Sequence, residues 1–285
     1  MRCHEDKGLV INLNGDGDKI VFSRCCYLQP FYTCTRDYFE KIKDIIKFSQ
    51  GVYDNLEEKN LNYLNETNDR CPTCDLKKDI KSVSVGLSKA CNLNCYNCFR
   101  SSHKESLDNK KLYFSTLKKL KGQKLDSISL TDQGEPFFYF KDTIKYLKSL
   151  SPVKDTKKVI FTTNTTFLNR DVIKLLKKLS DKTGVEYIFI CSIDGVTKET
   201  YEKTRPGAPF EKVISNYCLL LKTFGFNSAR VAFTLKRTNY EDAEKVVPYF
   251  TSLGAKIITY YYDIFDINMK KLFFEKINNF EFLLY

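Results

Sequence analysis

Three cysteines stand at C-x3-C-x2-C spacing in Cys91-Asn92-Leu93-Asn94-Cys95-Tyr96-Asn97-Cys98, directly after the β-rich run Ser82-Val83-Ser84-Val85-Gly86-Leu87-Ser88. Thiolates this close repel one another unless they hold a metal, and soft sulfur selects iron–sulfur clusters, zinc or copper. A structural zinc ion wants four protein ligands, usually two pairs from separate loops. Three thiolates on one short loop suit a 4Fe–4S cluster with one iron left open. Three further segments bring polar groups to the ends of predicted strands: Asp132-Gln133-Gly134-Glu135-Pro136, Thr162-Thr163-Asn164 and Cys191-Ser192-Ile193-Asp194-Gly195. Gly134 lets the backbone approach a ligand closely, and the Glu135 carboxylate suits an ammonium group. Ser192 and Asp194 alternate onto one side of a strand, so both can face the same ligand.

Positioning these residues requires a sheet that ends where they begin. From residue 80 onward strands and helices alternate, the pattern of βα units and a parallel sheet. Strands are predicted over 82–88, 126–130, 158–162, 185–193, 230–235 and 255–262. Helices are predicted over 108–121, 140–150, 170–179, 210–223 and 241–253, with a short one over 272–277. All four motifs then fall at carboxyl ends of strands, where parallel sheets place their ligands.

With those motifs in that order, residues 82–262 resemble the radical S-adenosylmethionine (radical SAM) superfamily. The resemblance implies an α/β fold, a partial (β/α)6 TIM-like barrel over 81–285. It implies that Cys91, Cys95 and Cys98 hold a 4Fe–4S cluster whose open iron binds the amino and carboxylate groups of SAM. Reductive cleavage of SAM then gives a 5′-deoxyadenosyl radical that abstracts a hydrogen atom from substrate. Gly134 and Glu135 are placed by the resemblance at the SAM amino group, and Ser192 and Asp194 at its carboxylate and ribose hydroxyls. Asn164 faces SAM or substrate, or caps a turn. Arg205, in Tyr201-Glu202-Lys203-Thr204-Arg205-Pro206-Gly207, pairs with the SAM carboxylate or is an exposed loop arginine. The chain departs from the family pattern at Asp132 and Gln133, where glycines are usual. It departs again at Asn97, where many members carry an aromatic residue; Tyr96 stands one position earlier. Implied partners are an electron donor, such as a reductase or flavodoxin-like protein, and an unknown substrate, with a peptide or protein side chain foremost and a carbohydrate as the alternative.

Residues 1–80 read as a separate cysteine-rich module. Two short strands over 9–13 and 19–22 flank Asn14-Gly15-Asp16-Gly17, a hairpin signal. A calcium loop is excluded there, because its twelfth position is Ser23 rather than the bidentate Glu it needs. A helix is predicted over 37–48. Cys3, Cys25, Cys26, Cys34, Cys71 and Cys74 are candidate ligands of a second metal site, with Cys71-Pro72-Thr73-Cys74 a common metal knuckle. The hairpin, Cys-Cys pair and late C-x2-C resemble the SPASM-type module of radical SAM enzymes, here preceding the barrel. An auxiliary 4Fe–4S cluster, zinc and unligated thiols are all open readings.

The chain has 285 residues, eleven cysteines and a formal charge of +11. Its opening residues are polar and no apolar run reaches membrane-spanning length. Cysteine richness without an export signal reads as a metalloprotein of a reducing compartment, the cytoplasm. Solvated helix faces account for the lysines better than a nucleic-acid surface does. Two readings from other classes remain: a zinc-stabilised nucleic-acid-binding protein, and a cluster-holding scaffold without turnover. Cys191 and Cys218 lie in apolar segments and read as structural thiols. Neither His4 nor His103 has a ligand-like spacing, and His103 is at most a substrate contact.

Overall fold

Val83 and Val85, Ile128 and Leu130, Val159 and Phe161, Tyr187 and Phe189, and Val231 and Phe233 alternate along their strands, and all are buried. A period of two puts such residues on one face of a sheet. The computed structural model describes residues 8–13, 19–24, 30–50, 80–98, 109–130 and 134–262. In it these residues lie in register across neighbouring strands, as in Leu130, Phe161 and Phe189. The Phe161 ring stacks on Phe137 at 5.1 Å and on Phe189 at 5.2 Å, and an aromatic pair of this kind adds about 1 kcal/mol beyond burial. The opposite face carries Ser84, Ser129, Thr162 and Ser192, all half-buried.

The described strands are β1 (Gly8–Leu13), β2 (Lys19–Arg24), β3 (Pro30–Thr35), β4 (Ser82–Gly86), β5 (Leu125–Leu130), β6 (Thr156–Thr163), β7 (Glu186–Ser192), β8 (Ala229–Leu235) and β9 (Ile258–Tyr262). They form one sheet in the order β3-β2-β1-β4-β5-β6-β7-β8-β9. Strands β4 to β9 are mutually parallel and follow chain order without a reversal. A sheet with no reversal is wound one way, and right-handed crossovers then put the connecting helices on one face. The molecule is therefore mixed α/β with a parallel sheet, the arrangement a partial (β/α)6 barrel needs. The crossovers are α3 (Lys110–Lys119), α4 (Phe140–Lys148), α5 (Arg170–Thr183), α6 (Lys198–Thr204), α7 (Phe210–Phe224) and α8 (Val246–Ser252), preceded by α1 (Arg36–Lys41) and α2 (45–50). Among the described residues no helix is long and apolar enough to cross a membrane.

The N-terminal strands differ from their expected setting. β1 pairs antiparallel with β2, as the hairpin signal requires, but its other edge lies parallel to β4, with Gly8 opposite Ser82 and Asn12 opposite Gly86. The strands of the segment read as a separate module thus extend the same sheet. Pro30–Thr35 is a strand the sequence reading did not include, paired antiparallel with β2. The helix predicted over 37–48 is broken: Ile42 turns extended, and the Asp44 side chain accepts from the Lys47 backbone N–H at 3.0 Å and caps a new helix. The helix predicted from Glu241 starts at Val246 instead. Pro248 has no N–H to give, and it is tolerated because it falls in the first turn, where that donor has no helical partner.

Candidate functional site

The cysteine loop follows β4 and is gripped near its two ends by different groups. At the Cys91 end, the Glu135 backbone N–H donates to the Ala90 carbonyl at 2.8 Å. A Cβ on Gly134 would lie 2.2 Å from that same oxygen and 2.8 Å from the Lys89 carbonyl carbon. The close approach that Gly134 permits is therefore to the backbone leading into Cys91. The Glu135 carboxylate is 2% exposed and accepts from the Thr163 hydroxyl at 2.8 Å, the Asn164 N–H at 2.7 Å and the Phe137 N–H at 3.3 Å. Burial pushes its pKa up to about 7, against the lowering effect of those hydrogen bonds and of the Arg205 charge. Asn164, also buried, donates to the Asn92 side-chain oxygen at 3.0 Å and reaches to 3.7 Å from Cys91 Sγ. Its own oxygen is held by the Thr166 N–H and hydroxyl. Asn164 thus both closes a turn and touches the cysteine loop.

The Cys95 end is held by cations. Asp194 is wholly buried just past β7, where one carboxylate oxygen accepts from the Thr234 N–H at 2.8 Å. The other takes Arg205 Nε at 2.9 Å and Nη2 at 2.8 Å. The Arg205 side chain is only 12% exposed, so the reading of it as an exposed loop arginine is corrected. Burial alone would lower its pKa, and the charges of Asp194 and Cys95 outweigh that and raise it. Arg205 Nη1 lies 3.9 Å from Cys95 Sγ. The residue before it, Thr204, accepts from the Tyr96 N–H at 2.9 Å. Both follow from α6, whose start is capped by Thr197 and whose packing needs Gly195: a Cβ there would sit 2.7 Å from the Tyr201 nitrogen. From the end of β8, Lys236 Nζ donates to the Tyr96 carbonyl at 2.7 Å. Asn239 ties the two strands' ends together, donating to the Asp194 carbonyl at 2.9 Å and accepting from the Lys236 N–H at 2.7 Å.

Of the residues singled out in the sequence, Cys91, Cys95, Gly134, Glu135, Asn164, Asp194 and Arg205 are brought together through these contacts. Ser192 closes β7 opposite Ala232, half-buried, and the strand ends there, so the period-two alternation does not extend to Asp194. Asn97, just before Cys98, has φ +47°, a left-handed turn that asparagine enters more readily than an aromatic residue does. Tyr96 stands 39% exposed beside it. Cys191 is fully buried and its thiol pKa is pushed up to about 12 by that burial, as a packing residue's would be; Cys218 is half-buried. Cys34 lies in the core, its pKa raised by burial. Cys3, Cys25, Cys26, Cys71, Cys74, Asp132, Gln133, His4 and His103 fall outside the described residues. Lys236, Thr204 and Asn239 were missed. Their one signal in the sequence is position: Lys236 directly follows a parallel strand at its carboxyl end.

The loop's chemistry fits a 4Fe–4S cluster. Its three cysteines are thiols, partly exposed, and hydrogen-bond donors reach toward the sulfurs of Cys91 and Cys95. A zinc ion needs sulfurs converging on one point about 2.3 Å away, whereas a cubane takes each thiolate at a different iron. Among the described residues no three His, Cys, Asp or Glu side chains converge as a single ion would require.

No protein-family model matches this chain, and no curated protein matches it. Among solved structures, a polyhistidine-tagged anSMEcpe with bound AdoMet aligns over 64% of this chain at 18% identity and a TM-score of 0.48. The chain spans 50% of that structure's length.

Proposed function

We propose that this chain is a radical SAM enzyme. The observation that carries the reading is the grip on one loop: residues at the ends of β5, β6, β7 and β8 all reach the segment holding Cys91, Cys95 and Cys98. When bound there, a 4Fe–4S cluster supplies the electron that splits SAM into methionine and a 5′-deoxyadenosyl radical, which takes a hydrogen atom from substrate. The chain's own residues orient and shield. Glu135 and Asn164 fix the entry to the loop, and Arg205, Thr204 and Lys236 fix it at Cys95 and Tyr96. Ser192, half-buried at the end of β7, faces the open side of the sheet and is available to SAM. Glu135 and Arg205 meet the SAM amino and carboxylate groups through capacity left over from their internal bonds. A side chain of a peptide or protein is the proposed substrate, and a reductase or flavodoxin-like protein the electron source.

Anaerobic reconstitution followed by a strong reductant tests the reading. Formation of 5′-deoxyadenosine and methionine from SAM is expected. A 4Fe–4S signal with no SAM cleavage makes the protein a cluster-holding scaffold, and stoichiometric zinc without iron sinks both readings in favour of a zinc-stabilised one. The second metal centre is likewise proposed, and it draws chiefly on Cys3, Cys25, Cys26, Cys71 and Cys74, since Cys34 is packed in the core. Metal analysis of a Cys91/Cys95/Cys98→Ala variant tests it: residual iron or zinc is expected, and neither metal in a folded variant removes it.

A further inference from the structure

Lys236 is a buried lysine, 7% exposed, at the carboxyl end of β8. Long ammonium side chains normally keep their head in water, and holding one inside carries a solvation cost. Its head group instead makes a 2.7 Å bond to the Tyr96 carbonyl, one residue past Cys95. Among the described residues it forms an ion pair with no carboxylate. The neighbouring cation differs: Arg205 is bonded twice to the buried Asp194, so that pair is close to neutral. Tyr96 is therefore clamped through both of its backbone groups, its N–H by the Thr204 carbonyl and its C=O by Lys236. A 4Fe–4S core bound by three thiolates carries net negative charge, and one-electron reduction adds to it. Buried charge beside a cluster and hydrogen bonding around its ligands set the reduction potential.

We infer that Lys236 is a positioning residue that clamps the Cys95–Tyr96 segment and supplies a positive charge, ion-paired with no carboxylate among the described residues, that offsets the cluster's negative charge. This rests on the reading of Cys91, Cys95 and Cys98 as cluster ligands. The charge holds the reduction potential higher than a neutral side chain would, making the first electron easier to accept. In a partly desolvated site that influence is weakly screened. The clamp itself belongs to the polypeptide and needs no cluster.

The test compares the parent with Lys236→Arg, Lys236→Gln and Lys236→Met. Reconstituted proteins are assayed for iron and sulfide per chain, and their midpoint potentials are read by redox titration followed by electron paramagnetic resonance. Lys236→Arg should match the parent. Lys236→Gln keeps an N–H donor for the Tyr96 carbonyl but no charge, so its midpoint should fall to a more negative potential at unchanged iron content. Lys236→Met should fall at least as far. Retention of the cluster by Lys236→Arg but by neither neutral variant also supports the role of the charge. A parent-like midpoint in Lys236→Gln overturns it, as does loss of iron in all three variants. Hydrogen exchange on the metal-free chains reads the clamp separately: amides of residues 93–98 should exchange faster in Lys236→Met, and equal protection overturns the clamp. A parent that takes up no iron refutes the ligand reading and with it the charge role, and leaves the exchange result to decide the clamp.

Discussion

At its Cys91 end the cysteine loop meets neutral donors around one buried carboxylate, Glu135; near Cys95 it meets two cations and a second buried carboxylate, Asp194. Both carboxylates are desolvated, and they are satisfied in opposite ways. Glu135 takes a hydroxyl and two backbone N–H groups, which only partly offset its burial, so its pKa still rises to about 7 and the site tolerates either protonation state. Asp194 takes a guanidinium and one N–H, an arrangement that works only while both partners stay charged. The difference teaches where the loop is adaptable and where it is fixed: the first grip survives loss of a charge, and the second does not.

The largest effect follows from breaking the charged grip. Arg205→Met leaves Asp194 buried with one N–H and no cation, and removing one partner of a buried pair costs about 3–5 kcal/mol. Chemical unfolding of the metal-free variant should show a loss of that size, and less of it should be lost in the Arg205→Met/Asp194→Asn double variant, which buries no lone charge. Equal losses in single and double variants would mean that the pair is not what holds this end.

The neutral grip has a steric component to break. Gly134→Ala must push a Cβ into the Ala90 carbonyl, a backbone atom that cannot rotate away. An overpacking cost of about 3 kcal/mol is expected in unfolding experiments, with reduced iron uptake on reconstitution because the displaced segment leads into Cys91. Stability and iron content equal to the parent would show that the Gly134–Ala90 approach is not required.

These contrasts also mark what could be read from the chain. The parallel strands were legible because β-branched and aromatic runs such as 185–193 are long and buried, and the cysteine loop because its spacing is chemically restrictive. Glu135 and Asp194 stood out in their motifs, but the partners that bury them did not. The Arg205–Asp194 bond joins positions in different local structures, and a loop arginine gives no local sign of burial. Lys236 belongs to a chain with 46 Lys+Arg, nearly all indistinguishable in sequence from solvated ones. The pairing of β1 with β4 was hidden for another reason. Strand patterns encode which face is apolar, not which edge is shared, and about seventy residues separate Gly8 from Ser82. Pro248, by contrast, was a readable signal: a proline in the middle of a predicted helix over 241–253 argues for a later start.

A smaller effect separates the two carboxylates by pH. Glu135 has a folded pKa near 7, above its ordinary value of 4.5, so the folded protein binds a proton that the unfolded chain releases between those values. Its contribution to stability is fully present below pH 4.5 and is lost as pH rises through about 7. At about 1.4 kcal/mol per unit the swing is on the order of 3 kcal/mol. Unfolding free energies of the metal-free parent and Glu135→Gln, measured across pH 5 to 8, should differ by an amount that changes over this window. A constant difference would remove the titrating carboxyl from the account.

The smallest effect is expected where the same two strands are linked by a carboxylate that stands in water. Glu135 joins the upper ends of β5 and β6 through Thr163 and Asn164, while Lys157 and Asp126 join their lower ends as an ion pair at 2.6 Å. The lower pair has side chains 66% and 50% exposed, so water competes for both charges and salt screens what remains. Exposed pairs of this type contribute about 0–1 kcal/mol. Asp126→Asn should therefore change unfolding stability by about 0.5 kcal/mol or less, with the difference shrinking further at high salt. The buried link at the other end should show little salt dependence, because ions do not reach it. If Asp126→Asn proved as costly as Glu135→Gln, burial would not be what distinguishes the two ends, and the weight placed on the enclosed carboxylates of the site would have to move to strand pairing itself.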